Sequence, residues 1–240
     1  MTIRAIILAA GVGSRFKSNR PKCMIELKNE EAGTKTIIQN QIEALIDNDV
    51  TDITVIVGYK FYMIMEHVAE ITADKNVSVK FVLNENFNST NTSKSLMKGL
   101  MTDQNNSVIW MNGDVVLSSE AIGAVIHTAV FRTVCGLLLC DTEEVSDEEI
   151  KYITNESGFI TQLSKQVDYT SAEGEAVGIN YVPSAYIPQF IVELDKCDDQ
   201  DYFEKGIETL IQDNRFQFLP VQSMARCVEI DFQSDLEKLI

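Results

Sequence analysis

The first 140 residues alternate short aliphatic, β-branched runs with segments of helical periodicity. Strand-like runs lie at 3–8, 53–57, 77–83, 108–110 and 134–140. Helical patterns lie between them at 36–47, 61–71, 92–101 and 118–130. In 36–47, for example, Ile38, Ile42 and Leu45 fall on one helix face. Such alternation predicts an α/β fold, a doubly wound and mostly parallel mixed sheet with right-handed crossovers.

The pattern changes after Asp141. Residues 141–149 contain six acids and no base, which predicts a solvated loop. Short runs at 152–154 and 159–163 flank a Glu-Ser-Gly turn and predict a β-hairpin. Further strands are predicted at 176–181, 216–219 and 227–231, and helices at 183–194, 201–212 and 234–240. We expect a single domain over 1–240, in which the acidic loop and hairpin insertion at 141–182 forms a wall over one end of the sheet.

Charge is distributed unevenly along the chain. The formal net charge is −16, yet residues 1–28 carry six cations and one anion, a net +5 that leaves −21 for the rest. An acidic chain is a poor general binder of nucleic acids or of anionic membrane surfaces. No apolar run approaches the roughly 20 residues of a membrane span. Five cysteines without a C-x-x-C pair favour a reduced, cytoplasmic protein.

The cationic segment contains a glycine loop directly after the first predicted strand. Residues 9–15 read A-A-G-V-G-S-R, and Pro21 and Lys22 follow. Small residues and free amides after a strand can approach and hold a phosphate. The loop is not a dinucleotide fingerprint, since Phe16 stands where the third glycine would be, and it is not a P-loop. Taken alone, it is equally compatible with a tight structural turn.

The glycine loop with its P-K resembles the signature L-A-A-G-x-G-S-R…P-K of the sugar-phosphate nucleotidylyltransferase superfamily. Three further segments resemble that superfamily in the same order: N-G-D at 112–114, E-A-V-G-I-N at 175–180, and E-I-D at 229–231 followed by D-L at 235–236. The segment T-N-T-S-K-S-L at 90–96 resembles the phosphocholine cytidylyltransferase-like branch. The resemblance covers essentially the whole chain and implies a Rossmann-like nucleotidyltransferase fold.

The resemblance implies that an acceptor phosphate attacks the α-phosphorus of a nucleoside triphosphate and that pyrophosphate leaves. Because two anions must meet, such a site needs cations, backbone amides and Mg²⁺. By the resemblance, Arg15 grips the β- and γ-phosphates and Lys22 the α-phosphate. The alternative is that both are surface cations of a loop.

The metal candidates are Asp114 and Asp231, because each follows an apolar strand and Mg²⁺ prefers carboxylate oxygens. Glu229 could share or replace the role of Asp231. The alternative for Asp114 is a turn residue in N-G-D.

The resemblance implies that the nucleotide base is recognised by the backbone around 8–11 and by the polar segment 84–95. The predicted nucleotide-binding residues are Leu8, Ala9, Ala10, Gly11, Gly13, Ser14, Asn84, Thr90, Asn91, Ser95 and Asp114. CTP is expected by resemblance only, because the composition of 84–95 does not distinguish cytosine from uracil. A polar loop with a helix cap is the plainer interpretation of 84–95, and UTP or dTTP with a sugar 1-phosphate is the alternative reaction.

The predicted acceptor-binding residues are Lys165, Glu175, Asn180, Tyr202 and Glu204. Lys165 stands where the family has an E-K-P lysine that binds the acceptor phosphate, although the flanking Glu and Pro are absent here. An acid beside an aromatic ring suits an ammonium group, but exposed acids and a half-buried tyrosine would give the same pattern.

The expected partners are CTP and a small phosphorylated or phosphonylated acceptor, such as choline phosphate or an aminoalkylphosphonate, with no nucleic acid and no membrane. A homodimer stays open. An inactive regulatory module is disfavoured because the signature Arg, Lys and Asp are all present.

Overall fold

The computed structural model describes residues 2–13, 19–29, 33–132, 134–141, 149–222 and 227–239. The strands are β1 (Ile3–Ala9), β2 (Glu26–Asn29), β3 (Gly33–Thr36), β4 (Asp52–Val57), β5 (Ser78–Leu83), β6 (Ser107–Asn112), β7 (Val115–Val116), β8 (Gly136–Asp141), β9 (Lys151–Thr154), β10 (Ile160–Ser164), β11 (Gly174–Val182), β12 (Phe218–Gln222) and β13 (Val228–Glu229). The helices are α1 (Ile37–Asp47), α2 (Phe61–Thr72), α3 (Thr92–Met101), α4 (Ser119–Phe131), α5 (Ile187–Lys196) and α6 (Phe203–Gln212). Within the described residues, 3₁₀ segments cover Lys22–Met24, Ser184–Tyr186 and Gln233–Leu239.

The main sheet has the strand order β10-β9-β11-β6-β1-β4-β5, and β8 pairs with both β11 and β12. Strands β6, β1, β4 and β5 are parallel to one another, and β12 is parallel to β8. Strand β11 runs antiparallel to β6, β8 and β9. The predicted α/β fold with a mostly parallel, mixed sheet is confirmed.

Alternate residues of the central strands enter two separate hydrophobic cores. In β1, Ile7 packs with α1, α2 and α4 on one face, whereas Ile6 packs with α3, α5 and α6 on the other. The buried Trp110 of β6 contacts Phe190 of α5 at 5.6 Å and Phe203 of α6 at 5.7 Å between ring centroids. These aromatic contacts fix the start of α6 close to the carboxyl edge of the sheet.

The predicted hairpin is present, since β9 and β10 pair antiparallel and β9 also pairs with the start of β11. The predicted helix at 183–194 begins instead as the 3₁₀ turn Ser184–Tyr186, and the closing helix is wholly 3₁₀. The predicted strand at 227–231 is only two residues long. Among the described residues, no helix has the length and apolar character needed to cross a membrane.

Candidate active site

A pocket of about 490 Å³ lies at the carboxyl ends of β1 and β6, and we call it the central pocket. Parallel α/β sheets build ligand sites at this edge, where loops from neighbouring strands meet. Several predicted site residues line it: Leu8, Ala9, Gly11, Gly13, Lys22, Thr90, Asn91, Asp114, Lys165, Tyr202 and Asp231. The predicted residues Ser14 and Arg15 lie outside the described residues.

The turn that carries Asp114 is tightly held against β1. Gly113 donates its N–H to the Leu8 carbonyl at 3.0 Å, and a Cβ on Gly113 would lie only 2.6 Å from that oxygen. Only glycine therefore fits at this position. The Asp114 carbonyl accepts the N–H of Ile230 at 3.0 Å, beside the pairing of β7 with β13. This pairing brings the 229–231 segment to the turn from a distant part of the sequence.

Three carboxylates meet at this point, and we call Asp114, Glu229 and Asp231 the carboxylate cluster. One oxygen from each lies within 4.8 Å of the others. Asp235 fixes the backbone of the last of them, because its Oδ2 accepts the N–H groups of Asp231 at 2.9 Å and Phe232 at 2.7 Å. Cluster formation thus depends on backbone hydrogen bonds from both segments.

Lys22 inserts its ammonium group into the carboxylate cluster. Its Nζ lies 2.7 Å from Asp114 Oδ2 and 2.5 Å from Asp231 Oδ1. Burial lowers the pKa of Lys22, but the two carboxylates raise it by more, so the pKa ends above its usual value. Gly13, at φ +63°, packs on the Lys22 side chain, where a Cβ would lie 3.0 Å from Lys22 Cβ. The position of the Lys22 side chain therefore depends on the absence of a side chain at Gly13.

The cluster retains excess negative charge despite Lys22. Burial and the charges of Asp114, Glu149 and Asp231 raise the pKa of Glu229 well above its usual value, and Lys22 opposes them. Asp114 Oδ1 is buried and has no hydrogen-bond partner among the described residues. Three hard oxygen ligands with an unsatisfied, buried oxygen fit a divalent cation such as Mg²⁺.

The polar segment after β5 contributes to the pocket in two ways. Thr90 and Asn91 line the pocket directly. Asn84 is buried instead, and its amide donates to Thr90 Oγ1 and Ser95 Oγ, both at 3.0 Å. Asn84 and Ser95 therefore shape this segment without lining the pocket.

Hydrogen bonds join residues 89–94 to residues 194–203, and we call this contact the seam. The Asn91 N–H donates to the Asp199 carbonyl at 2.7 Å, and Gln200 Nε2 donates to the Ser89 carbonyl at 2.7 Å. The Phe203 N–H donates to Thr92 Oγ1 at 3.1 Å. Lys94 Nζ completes the seam by donating to carbonyls at the end of α5, including that of Cys197 at 2.6 Å.

Lys165 and Tyr202 form a lysine–tyrosine pair on the pocket wall, with Nζ 5.2 Å from the ring centroid. Glu204 is buried nearby and does not line the pocket. Burial raises the pKa of Glu204 to about 7; the charge of Lys165 opposes the shift and that of Glu149 adds to it.

The structure does not bring the remaining predicted residues to the central pocket. Glu175 lines a smaller adjoining cavity of about 100 Å³, together with Glu149 and Glu229. Asn180 is buried in β11 opposite Trp110. Ala10 is buried, and its carbonyl accepts the Tyr59 N–H at 3.0 Å.

Five lining residues carry no motif that singles them out: Cys23, Phe87, Asn88, Glu149 and Gln200. Burial raises the pKa of the Cys23 thiol to about 12, so this thiol stays protonated at neutral pH. Gln200 becomes recognisable only through the seam. Glu149 ends the acidic run, and its place at the pocket depends on the hairpin that follows it.

The family profile described as the MobA-like NTP transferase domain matches residues 5–158. The matched region contains the glycine loop, Lys22 and Asp114. The chain belongs to this family. It is a nucleotidyltransferase, so the superfamily and the enzyme class predicted from the motifs are both confirmed.

Individual proteins extend the similarity of this nucleotidyltransferase beyond residue 158. It is 27% identical over 261 aligned positions to the CTP:phosphoglutamine cytidylyltransferase of Campylobacter jejuni subsp. jejuni serotype O:2, covering 98% of each chain. The structure of CTP:phosphocholine cytidylyltransferase from Streptococcus pneumoniae matches with a TM-score of 0.74 and 19% identity, covering 100% of this chain and 98% of that one. The resemblance to the cytidylyltransferase branch is confirmed.

A UDP-glucose pyrophosphorylase from Acinetobacter baumannii has the same fold. Its TM-score is 0.79 at 13% identity, covering 99% of this chain and 92% of that one. Proteins named for different nucleotides thus share this fold, so the fold alone does not identify the base.

Proposed function

We propose that this nucleotidyltransferase transfers a cytidylyl group from CTP to a small phosphorylated acceptor, with release of pyrophosphate. The observation that carries the proposal is the convergence of Lys22 with the carboxylate cluster beside Gly13 of the glycine loop. An acceptor phosphate oxygen forms the new bond to the α-phosphorus, and the bond to the leaving pyrophosphate breaks. The acceptor is itself an anionic nucleophile, so no covalent enzyme intermediate is needed.

The chain supplies positive charge and backbone amides where two anions must meet. We assign Lys22 to the α-phosphate, because its ammonium group lies at the pocket surface beside the glycine loop. Gly11 and Gly13 line the pocket and expose backbone to the triphosphate. Asp114 and Asp231, with Glu229, would hold Mg²⁺. When bound, this ion would neutralise phosphate charge and orient the triphosphate.

The preference for CTP rests on two polar residues that line the pocket and on the similarity of the chain to cytidylyltransferases. Thr90 and Asn91 offer hydroxyl and amide groups that can read a pyrimidine edge. They stand in the segment that resembles the cytidylyltransferase branch, and the Campylobacter relative, similar over its full length, is named for CTP. A uridine nucleotide with a sugar 1-phosphate is the second candidate, favoured only by the fold shared with the UDP-glucose enzyme.

The lysine–tyrosine pair constrains the acceptor. Lys165 forms no ion pair with any described carboxylate, so its charge is free to meet an anionic group of the acceptor. The Tyr202 face carries this ammonium group, so a quaternary ammonium group would have to displace Lys165 to bind there. We therefore favour a phosphorylated amino acid or amide, as in the name of the phosphoglutamine enzyme, over choline phosphate.

The test is a pyrophosphate-release screen of the purified enzyme with Mg²⁺. CTP, UTP, dTTP, ATP and GTP are each paired with phosphoglutamine, O-phosphoserine, phosphoethanolamine, phosphocholine and glucose 1-phosphate. We expect release with CTP and a phosphorylated amino acid or amide, and background release from Lys22→Met. A clear preference for UTP with glucose 1-phosphate would replace the proposal by the second candidate. Undiminished release from Lys22→Met would refute the assignment of Lys22.

A further inference from the structure

Gln41 is a fully buried polar residue on the inner face of α1. Its Nε2 donates two hydrogen bonds, to the carbonyl oxygens of Asn112 and Val115, each at 2.8 Å. These two carbonyls flank Gly113 and Asp114 on either side. A single side-chain amide therefore holds both ends of the turn that carries the first member of the carboxylate cluster.

The chemistry of the contact fixes the orientation of the amide. Both partners are carbonyl oxygens, which only accept hydrogen bonds, so the NH₂ group must face the turn. Gln41 Oε1 is then left buried without a partner among the described residues. Burying an unsatisfied amide oxygen costs stability. What the amide contributes in return is confined to the two carbonyl oxygens at the ends of the turn.

The turn depends on support of this kind. Gly113 has no side chain to pack, and β7, which follows Asp114, is only two residues long. Hydrogen bonds to Leu8 and Ile230 hold the centre of the turn, whereas Gln41 holds the two residues that flank it. A shift of the flanking residues would move Asp114 relative to Glu229 and Asp231, which lie on a separate segment.

We propose that Gln41 is a positioning residue for the carboxylate cluster, and that its two hydrogen bonds set the affinity of the cluster for a divalent cation. The inference rests on the proposed function in one respect, that the cluster holds such a cation. Residues that orient metal ligands typically change metal affinity by 10- to 100-fold when they are replaced.

Asn40 provides a matched control on the same helix. Its Oδ1 accepts the N–H of Leu117 at 3.0 Å, two residues beyond Val115. Loss of this hydrogen bond removes a contact between α1 and the same stretch of chain, but it leaves the turn itself held. Asn40→Ala should therefore lower stability without moving Asp114.

The experiment measures Mn²⁺ binding to the full chain by electron paramagnetic resonance, together with thermal unfolding. We expect Gln41→Met to raise the Mn²⁺ dissociation constant about tenfold, whereas Asn40→Ala stays within about twofold of wild type. Asp114→Asn shows how far the Mn²⁺ dissociation constant rises when one carboxylate ligand is lost. The rise of Tm with added Mn²⁺ is a second readout, and Gln41→Leu, which also removes both donors and adds no charge, is the second variant if Gln41→Met folds poorly.

Two failures can be told apart. If wild type binds Mn²⁺ and a folded Gln41 variant binds it equally well, Gln41 is only structural and the inference is wrong. Equal weakening by Asn40→Ala would also overturn it, because the effect would then be general. If wild type does not bind Mn²⁺, the metal assignment in the proposed function falls, and this inference falls with it.

Discussion

Around the carboxylate cluster, the charged groups are held at short range: Lys22 lies 2.7 Å from Asp114 and 2.5 Å from Asp231, and backbone hydrogen bonds hold both acidic segments. The lysine–tyrosine pair is different. Lys165 is exposed, Tyr202 is 45% exposed, and their only mutual contact is a 5.2 Å cation–π distance. One region is rigidly built, whereas the other consists of side chains that can be rearranged at little cost.

The contrast separates chemistry from selectivity. Phosphoryl chemistry requires charges at fixed places, and preorganised charges are most effective where they need not reorganise. Exposed side chains such as those of the lysine–tyrosine pair can differ between relatives without disturbing the carboxylate cluster. The two cytidylyltransferases compared above are named for the same transfer and for different acceptors. We therefore expect the carboxylate cluster to set the rate and the lysine–tyrosine pair to select the acceptor.

The largest effect is expected at the cluster. Asp114→Asn removes a carboxylate charge from the pocket, and we expect kcat/KM to fall about 10³-fold, the scale for loss of a preorganised charge in an active site. Steady-state pyrophosphate release measures it. Asp52→Asn is the control, since it breaks a surface pair with Lys80 at the start of β4 and should leave the rate unchanged. A fall of less than tenfold would show that the cluster is not the rigid chemical centre.

The next largest effect concerns the stability of the folded chain and the buried Glu204 near the lysine–tyrosine pair. The pKa of Glu204 is about 7 in the folded chain against an ordinary 4.5, so the unfolded chain loses this proton first as pH rises. The folded state is therefore progressively destabilised between about pH 4.5 and 7. Glu204→Gln should gain stability over this range, by on the order of 3 kcal/mol at pH 8, and none below pH 4. Urea unfolding at several pH values tests this, and a pH-independent difference would contradict the assigned burial.

Lys165→Gln should affect one substrate selectively. Loss of a charge-assisted hydrogen bond to an acceptor anion should raise the acceptor KM roughly 10- to 100-fold, with little change in the KM for CTP. Lys205→Gln, an exposed lysine of α6 that pairs with Glu208, is the matched control. If the KM for CTP rose as much as that for the acceptor, the pair would not be a separate selectivity element.

Tyr202→Leu should have the smallest effect. The ring holds the Lys165 ammonium through one exposed cation–π contact, worth about 0.5–1 kcal/mol. We expect a two- to fivefold rise in the acceptor KM and no change in kcat. A much larger rise would show that the ring contacts the acceptor directly, and Tyr202→Phe, which keeps the ring, should then restore most of the affinity.

Sequence periodicity predicts the long elements well because it reports burial over several turns. Helix α3 spans the predicted residues, and α1 differs only in that Thr36 is its N-cap. The hairpin of β2 and β3 escapes prediction, since its short strands carry no clear alternation. β7 and β13 are two residues each, and they exist only because they pair with each other.

The chemical residues of the site follow from motifs, but their supports do not. Lys22, Asp114 and Asp231 are found together as the motifs imply. Gln41 lies at a core position of an amphipathic helix and looks like an ordinary polar interruption. The motif predicts Asn180 at the pocket, yet strand alternation turns it into the core beside Trp110. The direction in which such a side chain points depends on tertiary packing, and a sequence motif alone does not specify it.

The seam has a thermodynamic consequence for the order of events at the pocket. Because Asn91 is hydrogen-bonded to the segment that carries Gln200 and Tyr202, we expect these two sides of the central pocket to move as one piece. If binding of one ligand reduces the motion of this piece, the second ligand binds to a piece whose motion is already reduced. Linkage makes any such effect reciprocal, so we expect each substrate to strengthen the binding of the other by the same factor.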